Sequence, residues 1–300
     1  MTKFSTIHLR VASMLTVFTL ALSGCFMSPG KFTSDLAITG PDTFTFNYEG
    51  EIFFLGLSKL AQMGAANSDS FTADCMDEET YESRTCTAEE EAVQREEWEA
   101  GAAERTEQTK KQAQQMAALM GGIDPSDPAA AEDLTKLLQR QNGWERVVHK
   151  GDGVFDVSYR IAGTMSHDFS FPTIEGFPQT NPFVQVFLRK GGQVRINAPG
   201  FAAPSPESGG LAAMLGAGFF ASLIAMGASE QASETAQDPM TMPGVPIMDG
   251  TFTIRTSTGM RILANNTDEG PTTGPYGETL TWPISSLTGQ VPTALITTAP

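Results

Sequence analysis

The sequence predicts an α+β fold in which both ends of the chain supply strands to one antiparallel β-sheet. Apolar and polar residues alternate over 44–48 near the start and over 280–284 near the end. This period of two is typical of strands that bury one face. Two segments of different composition interrupt the alternation. One is acidic and rich in helix formers, at 67–143, and the other is apolar and rich in Gly and Ala, at 208–229.

The first 24 residues have the features of a lipoprotein signal peptide. Lys3 and Arg10 precede an uncharged, mostly apolar run over 11–22, and Leu-Ser-Gly then leads to Cys25. Such a run is shorter than the roughly 20 residues needed to cross a bilayer, and small residues before the cut admit the peptidase. We expect cleavage before Cys25, with the rest of the chain outside the cytoplasm. A signal anchor, or an N-terminal helix that merely contains a cysteine, is the alternative.

Cys25 is therefore the expected lipidation site, with a diacylglycerol on its sulfur and often a further acyl chain, such as palmitate, on its amine. Each buried methylene contributes roughly 0.8 kcal/mol, so two or three chains anchor a protein stably. Phe26, in place of Asp, favours the outer membrane by the sorting rule of enteric bacteria. We expect a membrane-anchored protein at the periplasmic face of the outer membrane, with membrane lipid as its first partner.

The chain divides into four predicted regions. They are the signal peptide at 1–24, a lipid anchor with an N-terminal β-hairpin at 25–66, an acidic helical insertion at 67–143, and an antiparallel β region at 144–300 that contains the apolar insertion at 208–229. After cleavage, the remaining length suits one domain with insertions or two small domains, at about 100–200 residues per domain.

The charge excludes one class of partner. The full chain has a formal charge of −16, and removal of residues 1–24 takes away Lys3 and Arg10 but no acid, which changes the charge to −18. A field of this sign repels polyanions. We therefore expect no nucleic acid partner and no affinity for bare anionic lipid.

Cys75 and Cys86 are left once Cys25 is assigned to the lipid. In an oxidising compartment the two are expected to form a disulfide. Closing this short acidic loop would contribute about 2–3 kcal/mol against the unfolded chain. A redox pair or a metal site is the alternative, although the spacing fits neither a C-x-x-C motif nor a zinc knuckle.

The N-terminal strands are predicted from side-chain parity. Phe32, Leu36 and Ile38 share one parity, a Gly-Pro-Asp turn follows at 40–42, and the aromatic residues over 44–48 repeat at period two. This pattern predicts a β-hairpin with one buried face. The continuous apolar run at 52–55 indicates burial on both faces of the second strand.

A long acidic helix is predicted next. Thr87 and Glu90 have the spacing of a capping box, in which each side chain accepts a hydrogen bond from the other residue's backbone amide. The helix is expected to run to Met120, with large apolar residues sparse along it. We interpret it as a solvated helix that packs only at its ends. A coiled-coil surface for a protein partner is the alternative.

A second helix is predicted between Asp127 and Gly143. Asp127 has the chemistry of an N-cap, Pro128 suits the first position, and Gly143 lies just past the end. Leu134, Leu137 and Leu138 form its buried stripe, which we interpret as core.

Strands resume at Trp144. We expect strands over 145–149 and 155–161 around a Gly-rich turn, and a hairpin that joins 184–188 to 194–196. Strands over 252–254 and 262–264 flank a Ser-Thr-Gly turn, and strands over 280–284 and 293–296 close the chain.

The apolar insertion at 208–229 is the strongest functional signal after the anchor. It is uncharged and long enough to span a bilayer, but Glu207 and Glu230 flank it without any Lys or Arg. A span would also separate the later strands from their pairing partners. We favour a helix packed on the sheet or an apolar flap at the bilayer interface. The expected lipid or membrane contacts are Leu211, Leu215, Phe219, Phe220, Leu223 and Ile224.

No catalytic constellation stands out, and we expect neither a metal site, nor a cofactor, nor an enzymatic role. After processing, the remaining histidines are His149 and His167, and neither lies in a nucleophile elbow. Acidic residues around Asp74 and Asp77 lack the glycine-punctuated rhythm of a calcium loop. The run at 265–271 is interpreted as a polar turn between strands.

Two parts of the chain resemble known sequences. They are Cys25 followed by Gly-Pro-Asp-Thr-Phe-Thr-Phe-Asn-Tyr-Glu-Gly at 40–50, and Ile-Leu-Ala-Asn-Asn-Thr at 262–267 with Gly-Glu-Thr-Leu-Thr-Trp-Pro-Ile at 277–284. They resemble uncharacterised proteobacterial lipoproteins and, more distantly, the LppM-type lipoprotein domain of mycobacteria. The resemblance implies an α+β domain with a curved antiparallel sheet and a lipid or glycolipid ligand. It offers no catalytic residues.

Two functions are consistent with these features. The first is an envelope lipoprotein that binds a lipid, another apolar ligand or a membrane component, with 208–229 as lid or contact surface. The second is a structural or assembly lipoprotein that binds an envelope protein partner through the acidic helix at 88–120. A hydrolase with unrecognised carboxylates is a third, weaker alternative.

Overall fold

The computed structural model describes residues 27–58, 71–77, 83–125, 127–177, 182–203 and 247–298. Strands hold a larger share of these residues than helices do, and the coarse expectation of an α+β fold is met. The strands are β1 Met27–Ile38, β2 Thr43–Phe54, β3 Cys75–Met76, β4 Ser83–Arg84, β5 Trp144–Gly151, β6 Val154–Thr164, β7 Phe169–Phe171, β8 Val184–Arg189, β9 Gln193–Asn197, β10 Asp249–Thr256, β11 Arg261–Asn265, β12 Thr272–Gly274, β13 Gly277–Ser285 and β14 Thr293–Thr297. The helices are α1 Ala88–Ala100, α2 Ala102–Leu119 and α3 Ala130–Gln139, with short 3-10 turns at Leu55–Leu57 and Pro199–Phe201.

The larger sheet combines strands from both ends of the chain, as predicted. Its seven strands have the order β12-β13-β10-β1-β2-β6-β5. The expectation that it is wholly antiparallel is wrong, because β1 and β10 are parallel, with Lys31 opposite Asp249 and Ile38 opposite Thr256. Short turns dictate antiparallel pairing only for neighbouring strands. No local turn sets the relative direction of two strands this far apart in sequence.

A second sheet of five strands, in the order β11-β14-β9-β8-β7, was not expected. The Ser-Thr-Gly turn at 257–259 does not close a hairpin, because β10 belongs to the larger sheet and β11 to the smaller one. The Ser257 hydroxyl donates to the Ile38 carbonyl at 2.9 Å, which fixes this crossing to the end of β1. Turn chemistry therefore predicted the reversal of the chain but not its destination.

The two sheets face each other across one core of aromatic rings. Phe171 lies 5.0 Å from Phe46, 5.1 Å from Tyr48 and 4.7 Å from Tyr159, measured between ring centroids. Phe201 stacks on Phe32 at 4.5 Å. Pairs of this kind contribute about 0.5–1.5 kcal/mol beyond their buried area. Rings from the two sheets thus fill the space between them.

The predicted parity of the N-terminal hairpin is confirmed. Phe32, Leu36 and Ile38 in β1 are all buried, and so are the aromatic residues over 44–48 in β2. Phe53 and Phe54 point to opposite faces of β2 and are both almost fully buried. This agrees with the two-sided burial expected for the apolar run at 52–55.

The predicted single helix over 88–120 is wrong in its length, since it breaks into α1 and α2 at Gly101. Glycine has a low helix propensity, and its backbone amide here caps α1 through the Glu97 carbonyl at 3.1 Å. None of the residues of α1 is buried. Met120, just after α2, is 1% exposed and joins the core.

Helix α3 packs on β5 through Leu134 and Leu138, which are fully buried, whereas Leu137 is only partly buried. It begins at Ala130 rather than at the predicted Pro128. The Asp127 carboxylate accepts from the Ala129 amide at 2.8 Å, so it supports the preceding turn instead of serving as the N-cap.

Candidate functional site

A disulfide hairpin lies beside the start of α1. Cys75 and Cys86 are joined with an S–S distance of 2.05 Å, the pair that the sequence analysis expected. Strands β3 and β4 pair just inside the bond, with Cys75 opposite Arg84 and Met76 opposite Ser83. We use the name disulfide hairpin for β3, β4 and Cys86. It lies outside both large sheets.

Polar contacts attach this hairpin to the first turns of α1. The two terminal guanidinium nitrogens of Arg84 donate to the two carboxylate oxygens of Glu90, at 2.9 Å and 2.6 Å. One turn further, the Gln94 side chain accepts from the Asp74 amide at 3.0 Å and donates to the Asp74 carbonyl at 2.9 Å. Both contacts are bidentate, so they fix the orientation of the hairpin as well as its distance from the helix.

The predicted capping box is confirmed and shares Glu90 with this contact. The Glu90 amide donates to the Thr87 hydroxyl at 3.3 Å, and the Thr87 amide donates to the Glu90 carboxylate at 2.9 Å. The hydrogen bond from Arg84, followed by those from the Thr87 amide and hydroxyl, lowers the pKa of Glu90 to about 2. One carboxylate therefore both caps α1 and binds the hairpin.

Contacts between aromatic rings and guanidinium groups continue the attachment along α1. Phe71 meets Trp98 edge to face at 5.9 Å between ring centroids. The Arg95 guanidinium lies 4.6 Å from the centroid of Phe71, and the Arg105 guanidinium lies 4.1 Å from that of Trp98. Cation–π contacts at these distances are attractive even at exposed sites. The last of them crosses the break at Gly101 and links α2 to α1.

The outer surface of α1 is acidic with isolated apolar side chains. Its sequence carries six glutamates and one arginine. Val93 on α1 and Met76 on the hairpin are each 57% exposed. The acidic helix, the disulfide and the capping box were predictable from the sequence. The hydrogen bonds of Arg84 to Glu90 and of Gln94 to Asp74 were not, because they depend on how the hairpin packs against α1 and not on a sequence motif.

A second charged cluster lies on the outer face of the larger sheet. Arg146 contacts Glu49 at 3.4 Å and Asp156 at 3.2 Å, and the Ser158 hydroxyl donates to Glu49 at 2.5 Å. One arginine thus bridges two carboxylates across three neighbouring strands, as cross-strand pairs do on many solvated faces. We interpret the cluster as structural.

Asp35, on the same face, is partly buried. Its carboxylate lies 2.9 Å from the Arg255 guanidinium without hydrogen-bond geometry. Burial raises the pKa of Asp35, and the nearby Arg255 charge opposes this rise only in part. The pair lies on parallel neighbours β1 and β10 and helps to fix their contact.

The two candidate histidines are separated in the fold. His149 stacks on Phe155 at 4.8 Å, whereas His167 contacts the Ser166 hydroxyl through Nδ1 at 3.1 Å on an exposed turn. Within the described ranges, no group of three His, Cys, Asp or Glu side chains could hold a metal ion. Of the acidic residues considered for calcium, Asp74 and Asp77 are described, whereas Glu78 and Glu79 lie outside the described residues.

An apolar ligand would be expected to occupy a cavity between sheet and helices. In the described part of the chain, the aromatic core fills the space between the sheets. An open depression of about 620 Å³ lies instead on the surface beside α3, lined by residues that include Gly121, Ile123, Lys136, Leu137 and Arg140. Its rim is charged, so it does not match the expected lipid site.

Several predicted positions lie outside the described residues. They are Cys25 and the expected lipid contacts Leu211, Leu215, Phe219, Phe220, Leu223 and Ile224. Among the helices of the described ranges, none combines the length and the apolarity required to cross a bilayer. The lipidation and membrane contacts therefore stay predictions from the sequence.

Comparisons with protein-family models, with curated proteins and with solved structures found no match to this chain. The resemblance to proteobacterial lipoproteins rests on the sequence motifs alone.

Proposed function

We propose that this protein is an extracytoplasmic lipoprotein, held at the membrane by acylated Cys25, that binds a protein partner of the cell envelope. The partner-binding surface consists of α1 and the disulfide hairpin. The role is one of binding and assembly rather than catalysis. Of the two functions favoured by the sequence, this one has the stronger support among the described residues.

The observation that carries the proposal is a helix fixed firmly in place without contributing to the core. None of the residues of α1 is buried. The start of the helix is nevertheless stabilised by a capping box, by the bidentate Arg84–Glu90 pair and by the bidentate Gln94–Asp74 contact. An isolated helix of this length is marginal in water, so these contacts replace the packing that stabilises most helices. A preorganised surface loses less conformational entropy when a partner binds.

The charge of the surface defines the chemistry of the partner. Six glutamates lie on α1 against one arginine, which the i,i+4 pair with Glu91 at 2.7 Å already engages. A basic protein surface would be attracted to this field and oriented by it. Exposed Val93 and Met76 would supply apolar contacts within the charged area.

The test removes charge from α1 without touching its attachment. Glu96→Gln, Glu97→Gln and Glu99→Gln are combined in the full chain, and in-cell cross-linking is measured. The matched control changes three exposed acids elsewhere, Asp42→Asn, Asp268→Asn and Glu269→Gln. Loss of a specific cross-linked partner in the α1 variant alone supports the proposal. Equal cross-linking in both variants contradicts it.

A deletion provides a coarser test of the same surface. We use the name sandwich for the two facing sheets. Replacing residues 88–119 by a short flexible linker should abolish cross-linking while the sandwich stays folded. Met120 must be retained, because it is buried in the core next to Gly56. Persistent cross-linking in this variant would show that the partner binds elsewhere.

The second candidate is binding of a lipid or another apolar ligand through 208–229. The observation that favours it is the uncharged, apolar composition of that segment. Since rings fill the described core, the ligand would be bound by Leu211, Leu215, Phe219, Phe220, Leu223 and Ile224 rather than between the sheets. Mass spectrometry of the extracted protein tests this candidate, and protein free of lipid other than its own acyl chains would count against it.

A further inference from the structure

Three residues that flank the predicted anchor and the apolar segment in the sequence lie at one end of the sandwich. They are Met27 at the start of β1, Ala203 after β9, and Ile247 before β10. Met27 lies only two residues beyond Cys25. Ala203 and Ile247 border the stretch that contains the apolar residues 208–229.

The parallel pairing of β1 and β10 brings two of these points together. Lys31 is opposite Asp249, so both strands start from the same end of the larger sheet. Beyond Lys31, β1 continues back to Met27, which is opposite Phe54 at the end of β2. The chain that follows Cys25 therefore enters the fold where β10 begins.

Hydrogen bonds bring the third point to the same place. The Ala203 amide donates to the Thr288 carbonyl at 2.6 Å, and the Thr288 amide donates to the Ser285 carbonyl at 3.0 Å. Ser285 is itself the register partner of Asp249 in β10. Ala203 thus lies at the corner where β13 ends and β10 starts.

Two large aliphatic side chains are exposed at this corner. Ile247 is 51% exposed and Leu287 is 72% exposed. Each lies two residues beyond the last register pair of β10 and β13, which is Asp249 with Ser285. At the opposite end of the sheet, the turn between β12 and β13 carries Tyr276, which is 83% exposed.

We infer that the end of the sandwich marked by Met27, Ile247 and Leu287 is a membrane-docking surface whose partner is the lipid bilayer itself. The inference rests on the proposed function, because it requires acyl chains on Cys25. Two residues of extended chain span at most about 7 Å, so an acylated Cys25 cannot hold this end far from the lipid surface. Ile247 and Leu287 extend from the same end of the larger sheet, so their exposed aliphatic side chains face the interfacial region of that bilayer.

Ala203 and Ile247, the described residues on either side of 204–246, both lie at the membrane-docking end. Tyr276 and the turn at 257–259 face away from the membrane at the far end of the sheet.

The experiment uses the full acylated chain reconstituted in phosphatidylcholine vesicles. Leu287→Cys is labelled with a fluorophore and exposed to a quencher carried on the lipid chains, with Tyr276→Cys as the matched control at the opposite end. Marked loss of fluorescence at position 287 and none at 276 is expected. Ile247→Cys is a second reporter that keeps the test valid if Leu287→Cys does not fold.

Two results would overturn the inference in distinguishable ways. If the N-terminal peptide carries acyl chains but positions 287 and 276 are quenched equally, the orientation is wrong and the anchor stands. If mass spectrometry finds no acyl chain on Cys25, the anchor and the orientation are both wrong. Partner binding by α1 is measured separately, by the cross-linking experiment with the Glu→Gln variants.

Discussion

The side chain of Asn266 joins the two sheets through the indole of Trp282. Its carbonyl oxygen accepts from Trp282 Nε1 at 3.2 Å, in the larger sheet, and from the Thr293 amide at 2.9 Å, in the smaller one. Its amide nitrogen donates to the Val291 carbonyl at 2.8 Å. The two C-terminal motifs at 262–267 and 277–284 therefore meet through one side chain. Neither motif by itself predicts this contact.

Asn266→Ala should destabilise the fold by about 1–3 kcal/mol, because it leaves half-buried donors of both sheets without their acceptor. Urea unfolding followed by tryptophan fluorescence measures the change. The control is Asn142→Ala at an exposed position, for which a change within about 0.5 kcal/mol is expected. Equal stability of the two variants would show that Asn266 does not couple the sheets.

The Glu90 carboxylate should titrate at an unusually low pH. Its pKa in the folded state is about 2, below the ordinary value of 4.5, mainly because Arg84 donates hydrogen bonds to it. Because the pKa is lowered on folding, the contribution of this contact to the free energy of unfolding is complete above pH 4.5 and is lost as the pH falls towards 2. NMR titration of the Glu90 side chain measures this midpoint.

Arg84→Met is the matched control for this titration. Removal of the guanidinium should raise the Glu90 midpoint towards 4.5, while the hydrogen bonds from Thr87 keep part of the shift. A midpoint near 4.5 in the unaltered protein would contradict the contact between the hairpin and α1.

Loss of the disulfide should loosen α1 without unfolding the sandwich. Cys75→Ser with Cys86→Ser removes a loop constraint of about 2–3 kcal/mol, and none of the α1 residues is buried in the core. Hydrogen exchange should become faster in α1 and stay slow in β1 and β2. Global unfolding of the variant would show that the hairpin stabilises the sheets and not only the helix.

Local patterns predicted the features that depend on neighbouring residues. The parity of Phe32, Leu36 and Ile38 gave the buried face of β1, and the spacing of Thr87 and Glu90 gave the start of α1. Both signals are contained within a few residues. The disulfide was expected because two cysteines remained after Cys25 was assigned to the lipid.

Features that depend on distant pairing escaped the sequence analysis. The parallel contact of β1 with β10 joins residues more than 200 positions apart, and the crossing at 257–259 leads to a different sheet. A single helix was predicted across Gly101, although the low helix propensity of glycine disfavours a continuous helix there. At the candidate site, the contact of Gln94 with Asp74 exists only because the disulfide hairpin rests on α1.

Strand β1 lies close in sequence to the proposed lipidation site at Cys25. Strand β1 is described from Met27, which lies two residues after Cys25 in the sequence. If Cys25 is acylated as proposed, partner binding through α1 would take place close to the membrane. The charge of the mature chain makes a basic envelope protein a better match than an anionic lipid surface.

The central claim is that the mature protein begins at an acylated Cys25, and mass spectrometry of its N-terminal peptide tests this most directly. The account predicts a chain that starts at Cys25 and carries a diacylglycerol, and it predicts that Cys25→Ala moves the protein from the membrane fraction to the soluble extract. A mature chain that starts at another residue, or an unmodified Cys25 in a protein that still sediments with membranes, would contradict it.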